Sequence, residues 1–176
     1  MSEAVDLVIV GAGPAGMSAA VAAAGAGAAV VALDEQPEPG GQIYRGIASL
    51  AKFRPKMLDI LGEDYAYGLK LVEAFNTAKI DYRPRSQVWQ IERDGRVFYR
   101  TAEGGAIVTA KKILIATGAM ERPLPVPGWT LPGVLTCGAA QIMLKANGLA
   151  PDGRFVLAGA GPLLLLLAAQ LARAGI

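Results

Sequence analysis

The chain has 176 residues, 53% of them hydrophobic, and a formal net charge of +2 with no basic tract; it can bury a sizeable core and offers nucleic acid no electrostatic footprint. It contains no histidine and one cysteine, Cys137, which excludes a histidine base or triad, an internal disulfide, a Cys-x-x-Cys redox pair and any cysteine-cluster metal site. Redox chemistry, if there is any, must reside on a bound cofactor.

The N-terminus carries Glu3 and Asp6 and no basic n-region, so it does not read as a secretory signal. Val5–Val10 is a short run rich in Val and Ile, the pattern of a buried strand. It runs into Gly11-Ala12-Gly13-Pro14-Ala15-Gly16. Pro14 suits a first helical turn, where its missing N–H costs nothing, and the helix should end near Ala26 between Gly25 and Gly27. Ala29–Leu33 reads as a second strand, closed by Asp34. A strand–helix–strand of this size should be a right-handed parallel crossover.

The spacing Gly11-x-Gly13-x-x-Gly16 has a physical reason at each position. Gly11 permits the turn out of the strand, Gly13 lets the backbone approach a pyrophosphate, and Gly16 lets the helix pack closely on the strand. The pyrophosphate would sit at the helix N-terminus, facing unpaired N–H groups and the positive end of the dipole. Asp34 stands where a carboxylate can accept from both ribose hydroxyls, and no arginine follows immediately, so a 2′-phosphate has no obvious partner. Glu35 is the next acid; a solvated loop charge is the favoured reading over a second ribose contact. Together these features predict a dinucleotide site.

Downstream, Gln36–Gly41 reads as a Pro/Gly loop, and Ile47–Gly62 as an amphipathic stretch broken by Pro55. Tyr67–Ala78 reads as a helix and Ile80–Arg83 as a third short strand. Gln87–Arg93 and Arg96–Arg100 flank Asp94-Gly95, a hairpin signal. With Ala106–Thr109 they predict a three-stranded antiparallel meander inserted into the α/β unit. Lys112–Ala116 reads as a further buried strand ending in Thr117-Gly118. Arg122–Pro132, with four prolines, reads as an extended connector. Cys137–Ala146 reads as a helix and Arg154–Ala158 as a strand. The turn Gly159-Ala160-Gly161-Pro162 then echoes the first, and Leu163–Leu167 opens another helix. Phe155–Leu171 is apolar but is interrupted by Gly159, Gly161 and Pro162, which argues against a membrane span; a cytoplasmic protein is expected. The second turn holds Leu164 where the first holds Gly16, which argues against NAD(P) binding there, because a leucine keeps helix and strand apart.

The strings Gly11–Gly16, Gly40-Gly41-Gln42 and Ile113-Leu114-Ile115-Ala116-Thr117-Gly118 resemble the two-dinucleotide-domain flavoproteins, the class of the thioredoxin and glutathione reductases. The longer strings Asp34–Arg45, Gly118–Pro123 and Ala158–Gln170 are similar to the FAD-containing subunits of heteromeric enzymes of the opine oxidase, hydrogen cyanide synthase and hydroxyproline dehydrogenase type. The resemblance implies a Rossmann-like FAD-binding α/β domain over 1–121, a connector and helix over 122–150, and the start of a second nucleotide-binding domain over 151–176. It implies FAD as cofactor, partner subunits, and a small amine or amino-acid derivative as substrate. Gly11, Gly13, Pro14, Ala15 and Gly16 would cradle the FAD pyrophosphate and Asp34 the adenosine ribose. Gly41 and Gln42 would lie along the ribityl and flavin side, Val88 would meet adenine through its backbone, and Thr117 and Gly118 would line the cofactor.

The resemblance has limits on the same residues. Val88 reads equally as a plain strand core residue, and Thr117-Gly118 as a strand-ending turn. The reductases carry a cysteine pair beside the flavin and this chain has none, so disulfide reduction is not expected, and Cys137 reads as a packing residue. Arg45 and Arg122 read as solvated surface charges, with contact to an anionic substrate or phosphate as the alternative. The 176 residues read as the N-terminal portion of a longer protein or as a truncation, lacking the last parallel strand of the FAD domain. Two rival functions stand beside the FAD-dependent oxidoreductase: an NAD(P)H-dependent flavoprotein reductase, and a non-catalytic fragment that binds no cofactor.

Overall fold

The computed structural model describes residues 3–176, which form two compact units: 3–45 with Tyr67–Gly118, and Gly46–Ala66 with Ala119–Ile176. In the first unit, strand β1 (Glu3–Val10) leads into helix α1 (Pro14–Gly25) and strand β2 (Val30–Leu33). The short helices α2 (Ile47–Phe53), α3 (Met57–Leu61) and α4 (Glu63–Ala66) come next in the chain and belong to the second unit. The first unit resumes with helix α5 (Gly68–Thr77), strand β3 (Ile80–Arg83) and strands β4 (Gln87–Ile91), β5 (Arg96–Thr101) and β6 (Gly104–Ile115).

The six strands make one sheet in the order β3-β2-β1-β6-β5-β4. β3, β2, β1 and β6 pair in parallel, and β6, β5 and β4 pair antiparallel. The parallel part needs crossovers, which α1 and α5 supply side by side. Alternation along β1 decides the layering. Val8 and Val10 join Val31, Leu33, Val97, Tyr99 and Val108 in one buried cluster, so side chains of β5 and the first half of β6 pack with those of the parallel strands. The other face receives α1: a Cβ built on Gly16 would be 3.4 Å from the Cγ2 of Ile9. Burying each of these aliphatic side chains stabilises the fold by about 1.5–3 kcal/mol.

The hairpin expected at Asp94-Gly95 forms. Glu92 donates its N–H to the carbonyl of Arg96 at 2.9 Å and accepts from the N–H of Gly95 at 3.2 Å, leaving a three-residue loop with Gly95 at φ +88°. Arg96 bonds Asp94 at 2.7 Å and also pairs with Glu92 across this turn.

Two expectations need correcting. The strands read at Ala106–Thr109 and Lys112–Ala116 are a single strand, β6, which pairs antiparallel with β5 through residues 104–109 and parallel with β1 through residues 108–115. Lys111 and Lys112 do not break it, because both are exposed and Lys111 pairs with Asp6 of β1 at 2.7 Å. Second, Arg154–Ala158 is not a strand. Its apolar residues suit one, but no described neighbour pairs with it, and Val156 is 91% exposed.

In the second unit, helix α6 (Cys137–Ile142) continues into a π-helical turn, Met143–Asn147, and Gly148 in the left-handed region ends it. Helix α7 (Pro162–Arg173) packs against α6 through Ala140, Leu167 and Leu171. Of the leucine run 163–167 only Leu167 is buried. A buried polar line crosses this unit: Lys145 Nζ donates to Gln141 Oε1, Gln141 Nε2 to Gln170 Oε1, and Gln170 Nε2 to the carbonyl of Leu61. No helix among the described residues is long and apolar enough to cross a membrane.

Candidate functional site: a glycine cradle at the first strand–helix turn

The turn between β1 and α1 is built by close backbone approach. Gly11, at φ +102°, donates its N–H to the carbonyl of Leu33 at 2.8 Å, and a Cβ there would stand 2.5 Å from the carbonyl oxygen of Ala116. A methyl group on Gly16 would collide with the carbonyl of Gly11. These two positions hold the ends of β1, β2 and β6 and the start of α1 in one place, at the carboxyl ends of the parallel strands, where α/β sheets bind ligands.

α1 opens with Gly13 as its cap in extended conformation, Pro14 at the first position, and no side-chain cap. Met17 makes the first helical bond, to the carbonyl of Gly13 at 2.9 Å. The N–H groups of Ala15 and Gly16 have no intrahelical acceptor, and no acidic residue lies in the first turn. The positive end of the helix dipole is therefore not neutralised by its own side chains and suits an anion.

The loop after β2 closes over this mouth. Gly40 donates to the carbonyl of Ala12 at 2.9 Å. Gly41, at φ +60°, lies against Gly13; a Cβ on Gly41 would be 2.8 Å from the Gly13 Cα. Two bare backbones thus face each other, with the Pro14 ring as the nearest side chain.

Asp34 is 6% exposed. Its Oδ2 accepts the N–H of Ala12 and its Oδ1 the N–H of Gln36, both at 3.0 Å. The carboxylate braces the glycine turn, a role beyond the ribose contact expected from sequence, and each oxygen keeps a further lone-pair site for a hydroxyl donor. Burial pushes its carboxyl above the ordinary aspartate range, against the opposing pull of the two N–H bonds. The Tyr82 hydroxyl is buried without a hydrogen-bond partner, and its pKa is raised by that burial and by the nearby Asp34 and Glu38 charges. Glu35 is exposed and accepts from Gln36 Nε2 at 3.1 Å, as a solvated loop acid would.

Gln42 is exposed, and its carboxamide oxygen accepts from Arg45. Arg45, read from the sequence as a solvated surface charge, is half-buried and also donates to Gln36 Oε1 at 2.9 Å. Thr117 and Gly118 are exposed just past β6, and the Thr117 Cα would be 3.3 Å from a Cβ on Gly11. Val88 is half-buried on β4, paired with Tyr99 and packed on the sheet core, with a register shift beside it. It is not in the glycine cluster. The segment leading to it is tied there, however, by Arg85 N–H to the Gln36 carbonyl and Ser86 N–H to the Asp34 carbonyl, at 3.0 and 2.8 Å. Arg85 is the one non-glycine residue with positive φ among those described. Between Glu35 and Gln36 on one side and Arg85, Gln87 and Arg100 on the other runs an open depression of about 590 Å³.

Cys137, at the start of α6, donates its thiol to the carbonyl of Leu163 at 3.4 Å. Burial and the Glu121 charge push its pKa up, away from the thiolate that disulfide chemistry needs.

Comparison with known proteins identifies the family. The family model described as pyridine nucleotide-disulphide oxidoreductase matches residues 5–176. An opine oxidase subunit of Agrobacterium tumefaciens (strain Ach5) is 50% identical over 184 residues, covering 100% of this chain and 36% of the relative. The hydrogen cyanide synthase subunit HcnB of Pseudomonas aeruginosa is 38% identical over 176 residues, covering 96% of this chain and 36% of the relative. The chain thus spans about a third of the length of these curated relatives. Among solved structures, L-proline dehydrogenase from P. horikoshii superposes with a TM-score of 0.75 at 20% identity, covering 100% of this chain and 35% of that one, a likeness of fold. The chain belongs to the pyridine nucleotide-disulphide oxidoreductase family.

Proposed function

We propose that this chain is the FAD-binding part of an oxidoreductase subunit that works with partner subunits on an amine or amino-acid derivative of the opine kind, in the cytoplasm. The observation that carries the cofactor reading is the backbone-to-backbone contact of Gly13 and Gly41 at the mouth of α1, braced by Asp34. It fits a pyrophosphate, which needs backbone N–H donors and room for its oxygens. Gly11, Gly13, Pro14, Ala15 and Gly16 would hold the pyrophosphate, and Asp34 the adenosine ribose. The open depression lined by Glu35 and by Gln87, the neighbour of Val88 in β4, would take the adenine, while Gly41, Gln42, Thr117 and Gly118 would follow the cofactor toward its flavin half. The relatives named for opine oxidation and cyanide synthesis support the substrate class and the heteromeric assembly.

Bound FAD supplies a two-electron acceptor for a hydride equivalent from the carbon beside an amine nitrogen. The chain's own part is to fix that acceptor in place. It has no histidine, and among the described residues no side chain near the cradle is placed as a general base, so we assign the substrate-binding and proton-accepting groups to a partner subunit. We also assign residues 151–176 to the start of a second nucleotide-binding domain.

The test is anaerobic spectroscopy of the FAD-loaded protein with its partner subunits. Bleaching of the flavin band by an opine supports the reading. Bleaching by NADH alone would favour the reductase alternative. A protein that stays colourless after FAD is added would favour the non-catalytic one.

A further inference from the structure

Arg85 follows Pro84 in the turn between β3 and β4 and holds φ at +54°. In that left-handed region glycine or asparagine is at home and a long side chain is strained. Two main-chain bonds fix the segment there: Arg85 donates its N–H to the Gln36 carbonyl at 3.0 Å, and Ser86 donates to the Asp34 carbonyl at 2.8 Å. A glycine would make both bonds without the strain, so an arginine at this position answers to its side chain. Arg85 lines the open depression of about 590 Å³ that begins at Glu35, the residue after Asp34. Gln87 of β4 and Arg100 of β5, directly opposite one another in the antiparallel pair, line it too, and the side chains of such a pair share one face. Both arginines are exposed, and among the described residues neither is paired with an acid. Arg83 and Arg96, by contrast, are each tied to a nearby aspartate.

We propose that Arg85 is a specificity-determining binding residue for the purine end of the cofactor: the strained turn presents its guanidinium as a stacking surface for the base, in a hollow that Arg100 lines with further donors. The proposal rests on the FAD reading given above and names the side chain that selects the base. A guanidinium is flat and weakly hydrated, so its face stacks on an aromatic ring while its edge keeps its donors. Purine ring nitrogens are acceptors and suit a hollow rich in donors. A phosphate is the other group that two arginines hold. Glu35 lines the same hollow and Asp34 adjoins it, so a phosphate dianion would meet two carboxylates there, whereas a neutral base would not. Lysine, a point charge on a flexible stem, offers no plane to stack on.

The test measures FAD by fluorescence titration and ADP by calorimetry on the parent chain, Arg85→Ala, Arg85→Gly and Arg85→Lys, with thermal unfolding of each in the absence of ligand. Arg85→Gly should melt about 2–4 °C above Arg85→Ala, because glycine alone relieves the strain. Both should nevertheless weaken FAD about fivefold to tenfold, the scale of a guanidinium–ring contact shielded from water. ADP carries the purine and no flavin, and should lose the same factor. Arg85→Lys keeps the charge and loses the plane, so it should recover little of the loss. The loss should also be the same in about 0.1 M and about 0.5 M NaCl, unlike an attraction between exposed charges. Full affinity in Arg85→Lys, or a loss that salt abolishes, would assign Arg85 to the phosphates and overturn the proposal. Arg85→Ala or Arg85→Gly binding FAD as the parent does, or a loss with FAD that ADP does not share, would also overturn it while leaving FAD binding intact. A parent protein that takes up no FAD would instead overturn the cofactor reading, and this inference with it.

Discussion

Gly13 and Gly41 meet backbone to backbone, and a methyl group on Gly41 would stand 2.8 Å from the Gly13 Cα. Gly41 also sits at φ +60°, so any side chain there adds backbone strain to the collision. Both effects fall on the surface that would receive the pyrophosphate. Gly41→Ala is expected to destabilise the fold by about 1–3 kcal/mol and to weaken FAD by more than about tenfold. Thermal unfolding without cofactor and fluorescence titration with it separate the two effects.

Asp34 holds two backbone N–H groups of the turn and keeps lone pairs for a sugar. Asn at this position can accept one of the two N–H bonds and must turn its NH2 toward the other. Asp34→Asn should weaken FAD by roughly 10–150-fold, the loss of one charged hydrogen bond of about 1.5–3 kcal/mol. The pH dependence has a defined sign. Burial raises the folded-state pKa, so above the ordinary value of 3.8 the folded protein binds the Asp34 proton more tightly than the unfolded chain does. The stabilisation from that proton is present at low pH and is lost as pH rises through the raised value. In urea unfolding, the parent should therefore gain on Asp34→Asn as the pH falls from neutral toward that value.

Gly68 opens α5 directly under the ring of Tyr44, and a Cβ there would lie 2.8 Å from the Tyr44 Cε1 and closer still to other ring atoms. The contact seats the end of the Gly40–Arg45 loop on the helix. Gly68→Ala should cost about 1–3 kcal/mol by overpacking. Truncating the ring with Tyr44→Leu in the same chain should recover part of it, and chemical denaturation of the two single variants and the double variant checks this.

Asp6 and Lys111 bridge β1 and β6 at the surface. Their pairing lowers the aspartate pKa and raises that of the lysine. The aspartate contribution is present above its ordinary value and fades as pH falls through the lowered one; the lysine contribution fades as pH rises through its raised value. The groups are exposed, so salt screens them. Lys111→Met should lower the melting temperature slightly in dilute buffer, and the difference should vanish in about 1 M NaCl.

The β1–α1–β2 unit and its glycine spacing were legible because each position answers a local need: a turn, a cap, a close packing contact. β6 was not legible as one strand. A strand that changes partners midway needs no change in its own residues, and the exposed Lys111-Lys112 pair looked like an end. Arg154–Ala158 carries strand chemistry without a described partner, and a strand exists only through its neighbour. Arg45 was hidden for the opposite reason. A lone arginine in a polar loop reads as solvated, and only the folded loop shows it bonding Gln36 and Gln42 together. The bracing of Ala12 by Asp34 spans 22 residues, and the sequence indicated the acid but not that second use.

The most direct measurement of the central claim is the stoichiometry and site of FAD binding by the purified chain, taken by fluorescence titration of the parent and of Gly41→Ala side by side. The account expects one FAD per chain, with binding sharply weakened in the variant. FAD bound equally well by both proteins, or by neither, would contradict it.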